Sequence, residues 1–168
     1  MSDFILRRAR VDDSDSIAAV FRLSKETAMP YLPDLHTPAE DRAFFRDRVF
    51  ATCEVWIAEI DDGLVGLCAF REAWIDHLYV HAAHLRRGIG GALLRKAMEG
   101  HERLALWTFQ RNANARSFYD AHGFRCVRFT DGRDNEEHEP DALYEWTRYS
   151  SRSSSRRISL VPSKPRRS

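Results

Sequence analysis

The sequence has few cysteines and no long apolar run, and both features limit the classes of protein to which it can belong. Only 3 of its 168 residues are cysteine, and their odd number and wide spacing favour reduced thiols over a disulfide framework. No apolar run reaches the roughly 18 residues of a transmembrane helix, and the first residues lack the apolar core of a signal peptide. We therefore predict a cytoplasmic protein that has no membrane partner.

Charge is nearly balanced but unevenly distributed along the chain. The formal net charge is +1, yet residues 150–168 carry 6 basic residues and no acidic one, which leaves 20 basic against 25 acidic residues elsewhere. This Ser- and Arg-rich stretch predicts a disordered tail, either an arm for nucleic acid or another partner or simply a solvated extension. Residues 4–149 are predicted to form one domain, whose acidic balance does not favour nucleic-acid binding.

A strand, a glycine-bearing turn and a helix follow one another in residues 74–99. Trp74–Val80 has the β-branched and aromatic character of a strand, and Ile89, Leu93 and Ala97 recur at helical spacing. The first amides of a helix have no intrahelical acceptor, and glycine lets anionic oxygens approach the backbone. We therefore predict a pyrophosphate site made by Arg86, Arg87, Gly88, Ile89, Gly90 and Gly91.

Two nucleotide-binding patterns are excluded at this turn. No Gly-Lys-Ser/Thr follows it, as a Walker loop requires, and Leu93 stands where the dinucleotide fingerprint has Gly or Ala. The turn instead resembles the acyl-CoA motif of the GNAT superfamily of N-acetyltransferases, Gln/Arg-x-x-Gly-x-Gly/Ala after a strand that ends in Val. Val80, Gly88 and Gly90 match this motif, whereas Leu85 replaces the Gln or Arg.

A second block strengthens the resemblance. Residues 112–124 match the GNAT pattern Asn-x-x-Ala-x-x-Phe-Tyr-x-x-x-Gly-Phe at every specified position. At about 100° per residue, a helix here places Asn112, Ala115 and Tyr119 on one face and turns Phe118 toward the core. Gly123 falls where a helix C-cap favours a left-handed residue.

The element order also matches the GNAT fold. We predict an α/β protein of order βααβββαβαββ, with a mixed, mostly antiparallel central sheet flanked by helices. The first helix is capped by Asp12 or Asp13, the second starts at the capping box of Thr37 and Glu40, and Asp62-Gly63 forms a hairpin turn. The predicted strands are 4–8, 53–60, 64–70, Trp74–Val80, 104–109, 124–130 and 142–148.

The resemblance implies direct transfer of an acetyl group from acetyl-CoA to an amine within a ternary complex. Backbone amides near Leu78, Tyr79 and Val80 would hold the thioester carbonyl, and the pantetheine arm would lie where this strand splays from strand 104–109. Asn112, with Ala115 and Phe118, would support that arm. By family position Tyr119 is the general acid, since a phenol of pKa about 10 can protonate a thiolate of comparable basicity.

The general base and the acceptor are less defined. An imidazole has an ordinary pKa of about 6.5, which favours His77 as the base, but a structural histidine is an equal alternative. Tyr31 and His36 lie between the first two helices, where the resemblance implies acceptor binding, and His36 is a further base candidate. The acidic segment 131–141 either attracts a cationic amine or forms a solvated hairpin loop.

No metal is predicted, because His77, His81 and His84 have no nearby fourth ligand. The expected partners are a small-molecule or peptide amine and, by resemblance, a second copy in a homodimer. The alternative function is a non-catalytic, regulatory acyl-CoA-binding module on the same fold. An intact Tyr119 favours the enzyme, because a binding module needs no proton donor.

Overall fold

A seven-stranded sheet forms the centre of the molecule. The structure, a computed structural model, describes residues 3–148, so the predicted tail at 150–168 and Tyr149 lie outside the described residues. The strand order is β1-β2-β3-β4-β5-β7-β6, and neighbours are antiparallel except for the parallel pair β4 and β5. The strands are β1 (Ile5–Arg8), β2 (Glu54–Ile60), β3 (Gly63–Arg71), β4 (Trp74–Val80), β5 (Arg103–Phe109), β6 (Arg125–Phe129) and β7 (Asp141–Thr147).

Helices cover both faces of this sheet. They are α1 (Ser14–Ala28), α2 (Pro38–Phe44), α3 (Phe50–Thr52), α4 (Ile89–Glu99) and α5 (Ala113–Ala121). Their order along the chain relative to the strands is the predicted one, because α2 and α3 are joined by a π-helical turn into a single helical segment. One apolar cluster joins α1 and the turns after α2 to the sheet, and the other joins α4 and α5 to its opposite face. Because both faces are covered, six consecutive residues of β3 are buried. None of the helices in residues 3–148 is long and apolar enough to cross a membrane.

The second helical segment begins as predicted and then changes geometry. Thr37 and Glu40 form the capping box, in which Thr37 N–H donates to Glu40 Oε2 at 2.6 Å and Glu40 N–H donates to Thr37 Oγ1 at 3.2 Å. The chain then widens into a π-helical turn over Phe45–Val49. Phe45 and Val49 are nevertheless both buried, so the apolar face of the segment continues through this turn.

Two local predictions differ from the structure in detail. One turn is shifted by a residue, and one side chain makes different hydrogen bonds from those expected. The hairpin between β2 and β3 turns at Asp61 and Asp62, whose φ angles of 49° and 63° are left-handed, rather than at Asp62-Gly63. Asp tolerates this conformation because its short polar side chain bonds locally. Asp13 occupies the predicted N-cap position of α1, but its side chain makes no cap hydrogen bond, because the carboxylate accepts from the Arg7 guanidinium and from Arg10 N–H instead.

Close packing on Gly66 of β3 sets the position of α4. A Cβ added at Gly66 would lie 3.0 Å from Leu93 Cδ1 and 3.2 Å from Ile89 Cγ2, both on α4, and 3.3 Å from the Tyr79 carbonyl. The missing side chain therefore brings the first turn of α4 against the sheet, beside the end of β4.

We expect Gly66→Ala to destabilise the fold, because overpacking of this kind costs about 1–3 kcal/mol. Urea denaturation measures the loss in free energy of unfolding. Gly100→Ala is the matched control, since a Cβ there meets no atom within 4 Å. An equal effect of the two substitutions would contradict the packing argument.

Candidate active site

The parallel strands β4 and β5 lie side by side at only one end. They pair at Trp74 and Ala105, where Ala105 N–H donates to the Ala73 carbonyl at 2.8 Å. Between the described strands no further pair follows toward Val80. The sheet therefore opens between the carboxyl ends of β4 and β5, as predicted for these strands.

The unpaired edge of β4 offers backbone donors to this opening. His81 N–H donates to the Val65 carbonyl of β3 at 2.8 Å. Because neighbouring residues of a strand point their amides to opposite sides, the N–H groups of Leu78 and Val80 face away from β3 and into the opening. The Val80 carbonyl on the same side accepts a hydrogen bond from Ser24 Oγ of α1 at 3.0 Å.

The turn before α4 has the backbone form of an anion site. Arg86 and Gly88 have left-handed φ angles of 62° and 82°, and such turns direct successive amides toward one point. The α4 hydrogen bonds begin with Ala92 N–H donating to the Gly88 carbonyl at 3.0 Å. The amides of Ile89, Gly90 and Gly91 thus have no intrahelical acceptor, as expected for the first turn.

The three glycines of this turn differ in what surrounds them. A Cβ at Gly88 would meet no atom within 4 Å, so its surroundings are open. At Gly90 a Cβ would lie 3.3 Å from the Phe118 ring, and at Gly91 it would lie 3.0 Å from His122 Nε2. Gly90 and Gly91 therefore also admit the close approach of α5, a role that the sequence analysis did not assign.

The two arginines of the turn are in different situations. Arg87 donates to Asp3 Oδ2 at 2.9 Å and contacts His84 Nδ1 at 2.9 Å. Arg86 is exposed, and no described residue pairs with its guanidinium. Arg86 is the freer of the two cations for binding an anion at this turn.

Helix α5 presents both Tyr119 and Phe118 to the core, and Tyr119 is the more deeply buried of the two. Tyr119 is 7% exposed and packs on Phe124 and Tyr144 with ring-centroid distances of 5.5 and 6.1 Å. Phe118 is half-buried and packs against the same apolar cluster, with its ring centroid 4.3 Å from that of His122, in keeping with its predicted turn toward the core. Asn112 is the N-cap of α5 and accepts the Ala115 N–H at 3.2 Å.

Burial keeps Tyr119 in its neutral form. Desolvation raises the pKa of its phenol, and the nearby Cys68 thiol and Tyr79 phenol raise it further. Tyr119 belongs to the cluster that also contains Leu78 and Val80 beside the opening. A neutral, protonated phenol therefore lies on the α4 and α5 face of the sheet next to the unpaired edge of β4.

His77 lies on the opposite face, within a group of aromatic rings. Its imidazole is 5.2 Å from Phe45, 5.7 Å from Phe44 and 6.0 Å from Phe21 between ring centroids. Asp76 points the other way and pairs with Arg71 Nε at 2.6 Å. Asp76 and His77 therefore point to opposite faces of the sheet, and the packing favours a structural contribution from His77 alongside any proton transfer.

Two distant loops meet at the same end of the sheet as the opening. The loop between α1 and α2 holds Tyr31 and His36, and the loop between β6 and β7 holds most of the acidic segment 131–141. His36 Nε2 lies 2.5 Å from Glu136 Oε1, across 100 residues of sequence. The acidic segment is thus docked on the loop that was predicted to bind the acceptor.

Tyr31 makes a second contact between these loops. The Arg111 guanidinium carbon lies 3.9 Å from the Tyr31 ring centroid, and the guanidinium pairs with Glu139. The Tyr31 hydroxyl is buried and has no hydrogen-bond partner among the described residues. An unsatisfied buried hydroxyl costs about 1–3 kcal/mol, so this atom is a candidate contact for a ligand.

The acidic loop has a defined internal structure, which the solvated-hairpin alternative did not anticipate. Asn135 is 5% exposed and donates from Nδ2 to the Glu139 carbonyl at 2.7 Å and to Asp141 Oδ2 at 3.0 Å. Gly132 has a left-handed φ of 79°, and a Cβ there would lie 2.3 Å from the Glu139 carbonyl carbon. Sequence reasoning missed both residues, although an Asp-Gly pair and an Asn within a polar stretch are turn signals.

Arg22 of α1 fixes the other loop and was also missed. Its guanidinium donates to the His36 carbonyl at 2.9 Å, to Asp41 Oδ2 at 2.8 Å and to Asp34 Oδ2 at 2.5 Å. Asp41 is 3% exposed, so this pair is largely desolvated. Within residues 3–148 no group of three or more His, Cys, Asp or Glu side chains is arranged to hold a metal ion.

Comparison with known proteins finds relatives among the N-acetyltransferases. Residues 51–126 match a family model described as the acetyltransferase (GNAT) domain. The chain is 35% identical to the peptidyl-lysine N-acetyltransferase YiaC of Escherichia coli over 83 residues, which cover 49% of this chain and 57% of that protein. It therefore spans little more than half the length of this relative. It is 26% identical to the uncharacterized N-acetyltransferase YafP of E. coli over 76% of this chain and 85% of that protein.

Solved structures share the fold at low sequence identity. The PaiA N-acetyltransferase of Thermoplasma acidophilum, solved with coenzyme A, superposes with a TM-score of 0.69 at 18% identity, covering 86% of this chain and 98% of that one. Apo YjaB of E. coli gives 0.67 at 21% identity, covering 85% and 97%. The family model thus assigns a GNAT acetyltransferase domain to residues 51–126, and the described residues share the fold of these solved structures.

The raised pKa of Tyr119 predicts a pH dependence of stability. The folded state favours the protonated phenol, so its contribution is complete below the ordinary tyrosine pKa of about 10 and is lost as the pH rises above it. We expect the free energy of unfolding of the wild type to fall more steeply above about pH 10 than that of Tyr119→Phe. Urea denaturation across this range measures both slopes, and equal slopes would contradict the prediction.

Proposed function

We propose that this protein is an N-acetyltransferase that moves an acetyl group from acetyl-CoA directly to an amine acceptor in a ternary complex. The observation that carries the proposal is the opening between β4 and β5, which ends at the amide-rich turn before α4 and lies beside Tyr119. The names of the relatives YiaC and YafP, both N-acetyltransferases, support it.

The residues present fit acetyl-CoA in two respects. The free amides of Ile89, Gly90 and Gly91, with the open surroundings of Gly88 and the unpaired Arg86, suit a pyrophosphate. The unpaired edge of β4 suits an extended chain carrying amide groups, which is the form of pantetheine. When bound, acetyl-CoA supplies an activated acetyl thioester.

Backbone donors of β4 stabilise the developing charge in this proposal. The Leu78 and Val80 N–H groups face the opening and would donate to the carbonyl oxygen of the acetyl group. Held in a rigid sheet, these donors need no rearrangement during the reaction. Asn112, which caps α5, retains its side-chain NH2 as a donor on the same side of the molecule.

Tyr119 is the proposed general acid. A buried phenol with a raised pKa stays protonated at neutral pH, and it can transfer that proton to the departing sulfur. Within residues 3–148 its hydroxyl donates to no other residue, so the proton is available for transfer.

The acceptor would approach from the face that carries α1. Tyr31 and His36 line this side with the docked acidic loop, whose carboxylates favour a cationic amine. Because YiaC is named a peptidyl-lysine N-acetyltransferase, a lysine side chain is the first acceptor to test. His77 is the proposed base, on the same face of the sheet as the acceptor loops.

Tyr119→Phe should lower kcat by about 100-fold or more, because it removes general-acid catalysis. Release of free thiol from acetyl-CoA, measured against a panel of amines, gives kcat, and calorimetric titration with CoA gives the affinity. We expect the CoA affinity to remain within about twofold, since the phenol makes no ground-state contact that the proposal requires.

Tyr144→Phe is the matched control for this experiment. It removes a similarly buried phenol 6.1 Å from Tyr119, whose hydroxyl accepts a hydrogen bond from Arg116. Comparable losses of kcat in the two variants would exclude a specific acid role for Tyr119. Tight CoA binding by the wild type, with no thiol release for any amine, would favour the non-catalytic binding module.

His77→Gln tests the proposed base through the pH profile. If His77 removes the amine proton, the acidic limb of kcat/KM should disappear in the variant. Thiol release measured from acidic to alkaline pH gives the profile. A variant that keeps this limb and loses only thermal stability would assign His77 to packing among its aromatic neighbours.

A further inference from the structure

Arg111 connects three segments around the acceptor side. It follows β5 and precedes Asn112, the N-cap of α5, so its backbone belongs to the same turn as the proposed pantetheine contact. Its guanidinium lies on the ring of Tyr31 at 3.9 Å, which is within cation–π range. The same group forms a two-point pair with Glu139, with Nε to Oε1 at 2.5 Å and Nη2 to Oε2 at 3.0 Å.

Glu139, one of the two partners of the Arg111 guanidinium, is itself held in place. Its carboxylate side chain is 14% exposed, and its backbone N–H donates to Asn135 Oδ1 at 3.2 Å while its carbonyl accepts from Asn135 Nδ2 at 2.7 Å. Gly132 packs directly against the Glu139 backbone. Glu139 therefore fixes the direction of Arg111 more firmly than a surface carboxylate could.

Tyr31, the other partner of the Arg111 guanidinium, depends more on this contact than Glu139 does. Tyr31 lies between Pro30 and Pro33 in a segment without helix or strand, and the nearest backbone hydrogen bond joins Leu32 N–H to the Met29 carbonyl at 3.1 Å. The guanidinium face is its close cationic contact, and the buried hydroxyl has no partner among the described residues. Arg111 is therefore placed to orient this ring.

We propose that Arg111 is a positioning residue for the acceptor, which acts by stacking on Tyr31 while Glu139 holds its guanidinium. The inference rests on the proposed acetyl transfer and on acceptor binding at Tyr31. Arg111 itself touches neither the reacting amine nor the thioester in this scheme. Its loss should therefore weaken acceptor binding and leave the acetyl-CoA site intact.

Steady-state kinetics of Arg111→Ala test the proposal, with acetyl-CoA and a peptide that has a blocked N-terminus and a single lysine. We expect KM for the peptide to rise about fivefold to tenfold, the range that the loss of one cation–π contact and its anchor gives. KM for acetyl-CoA and kcat should stay within about twofold, because their groups are untouched. Arg111→Lys, which keeps the charge but not the planar fork, should recover part of the affinity.

A double-mutant cycle separates positioning from a general effect of charge. If Arg111 acts through Tyr31, Arg111→Ala should have no further effect on peptide KM in a Tyr31→Ala background. Arg46→Ala is the matched control, because Arg46 is 55% exposed against 56% for Arg111 and forms a similar two-point pair with Asp47. This control should leave both KM values unchanged.

The outcomes distinguish this inference from the proposed function. Turnover by the wild type with an unchanged peptide KM in Arg111→Ala, or an equal rise in the Tyr31→Ala background, would overturn the positioning role alone. Absence of thiol release by the wild type with the peptide and with every amine of the panel would overturn the proposed function and this inference with it. If Arg111→Ala does not fold, Arg111→Lys and Glu139→Gln provide the same comparison.

Discussion

The structure depends on a constraint in the middle of its sheet, where β4 and β5 are parallel and paired at one end only. Parallel neighbours need a long crossover connection, and here that connection is the glycine-bearing turn followed by α4. Because Gly66 lets α4 pack tightly on β3, the start of the helix comes to the mouth of the opening. The unpaired β4 amides and the free amides of α4 therefore converge without any specialised side chain.

The sheet also separates the two proton-transfer candidates. Successive residues of a strand point to opposite faces, so His77 lies with α1 and its aromatic neighbours, while Leu78 lies with α4 and α5. Tyr119 belongs to the second face and is kept neutral by burial. A reacting group in the opening would have a proton donor on one side and a proton acceptor on the other.

Local patterns predicted the fold and the backbone parts of the site, because these depend on short spacings. The glycine turn at Gly88 and the element order could both be read along the chain. The close approach of Phe118 to Gly90 could not be read along the chain, because it joins two separate helices. The contacts of His36 with Glu136 and of Arg111 with Tyr31 join residues far apart in sequence, so no local spacing encodes them. The chemical roles of the site residues stay predictions.

An unpaired strand edge is ordinarily a hazard, since it can recruit a strand from another molecule and begin aggregation. In this protein the open edge of β4 lies in the interior of the sheet, between β4 and β5, with helices on both faces. The Ser24 hydroxyl already satisfies the carbonyl of Val80 at its outer end. A segment that paired with this edge would lie between two existing strands rather than extend the sheet outward, so the edge does not offer the open-ended growth that an outer strand allows.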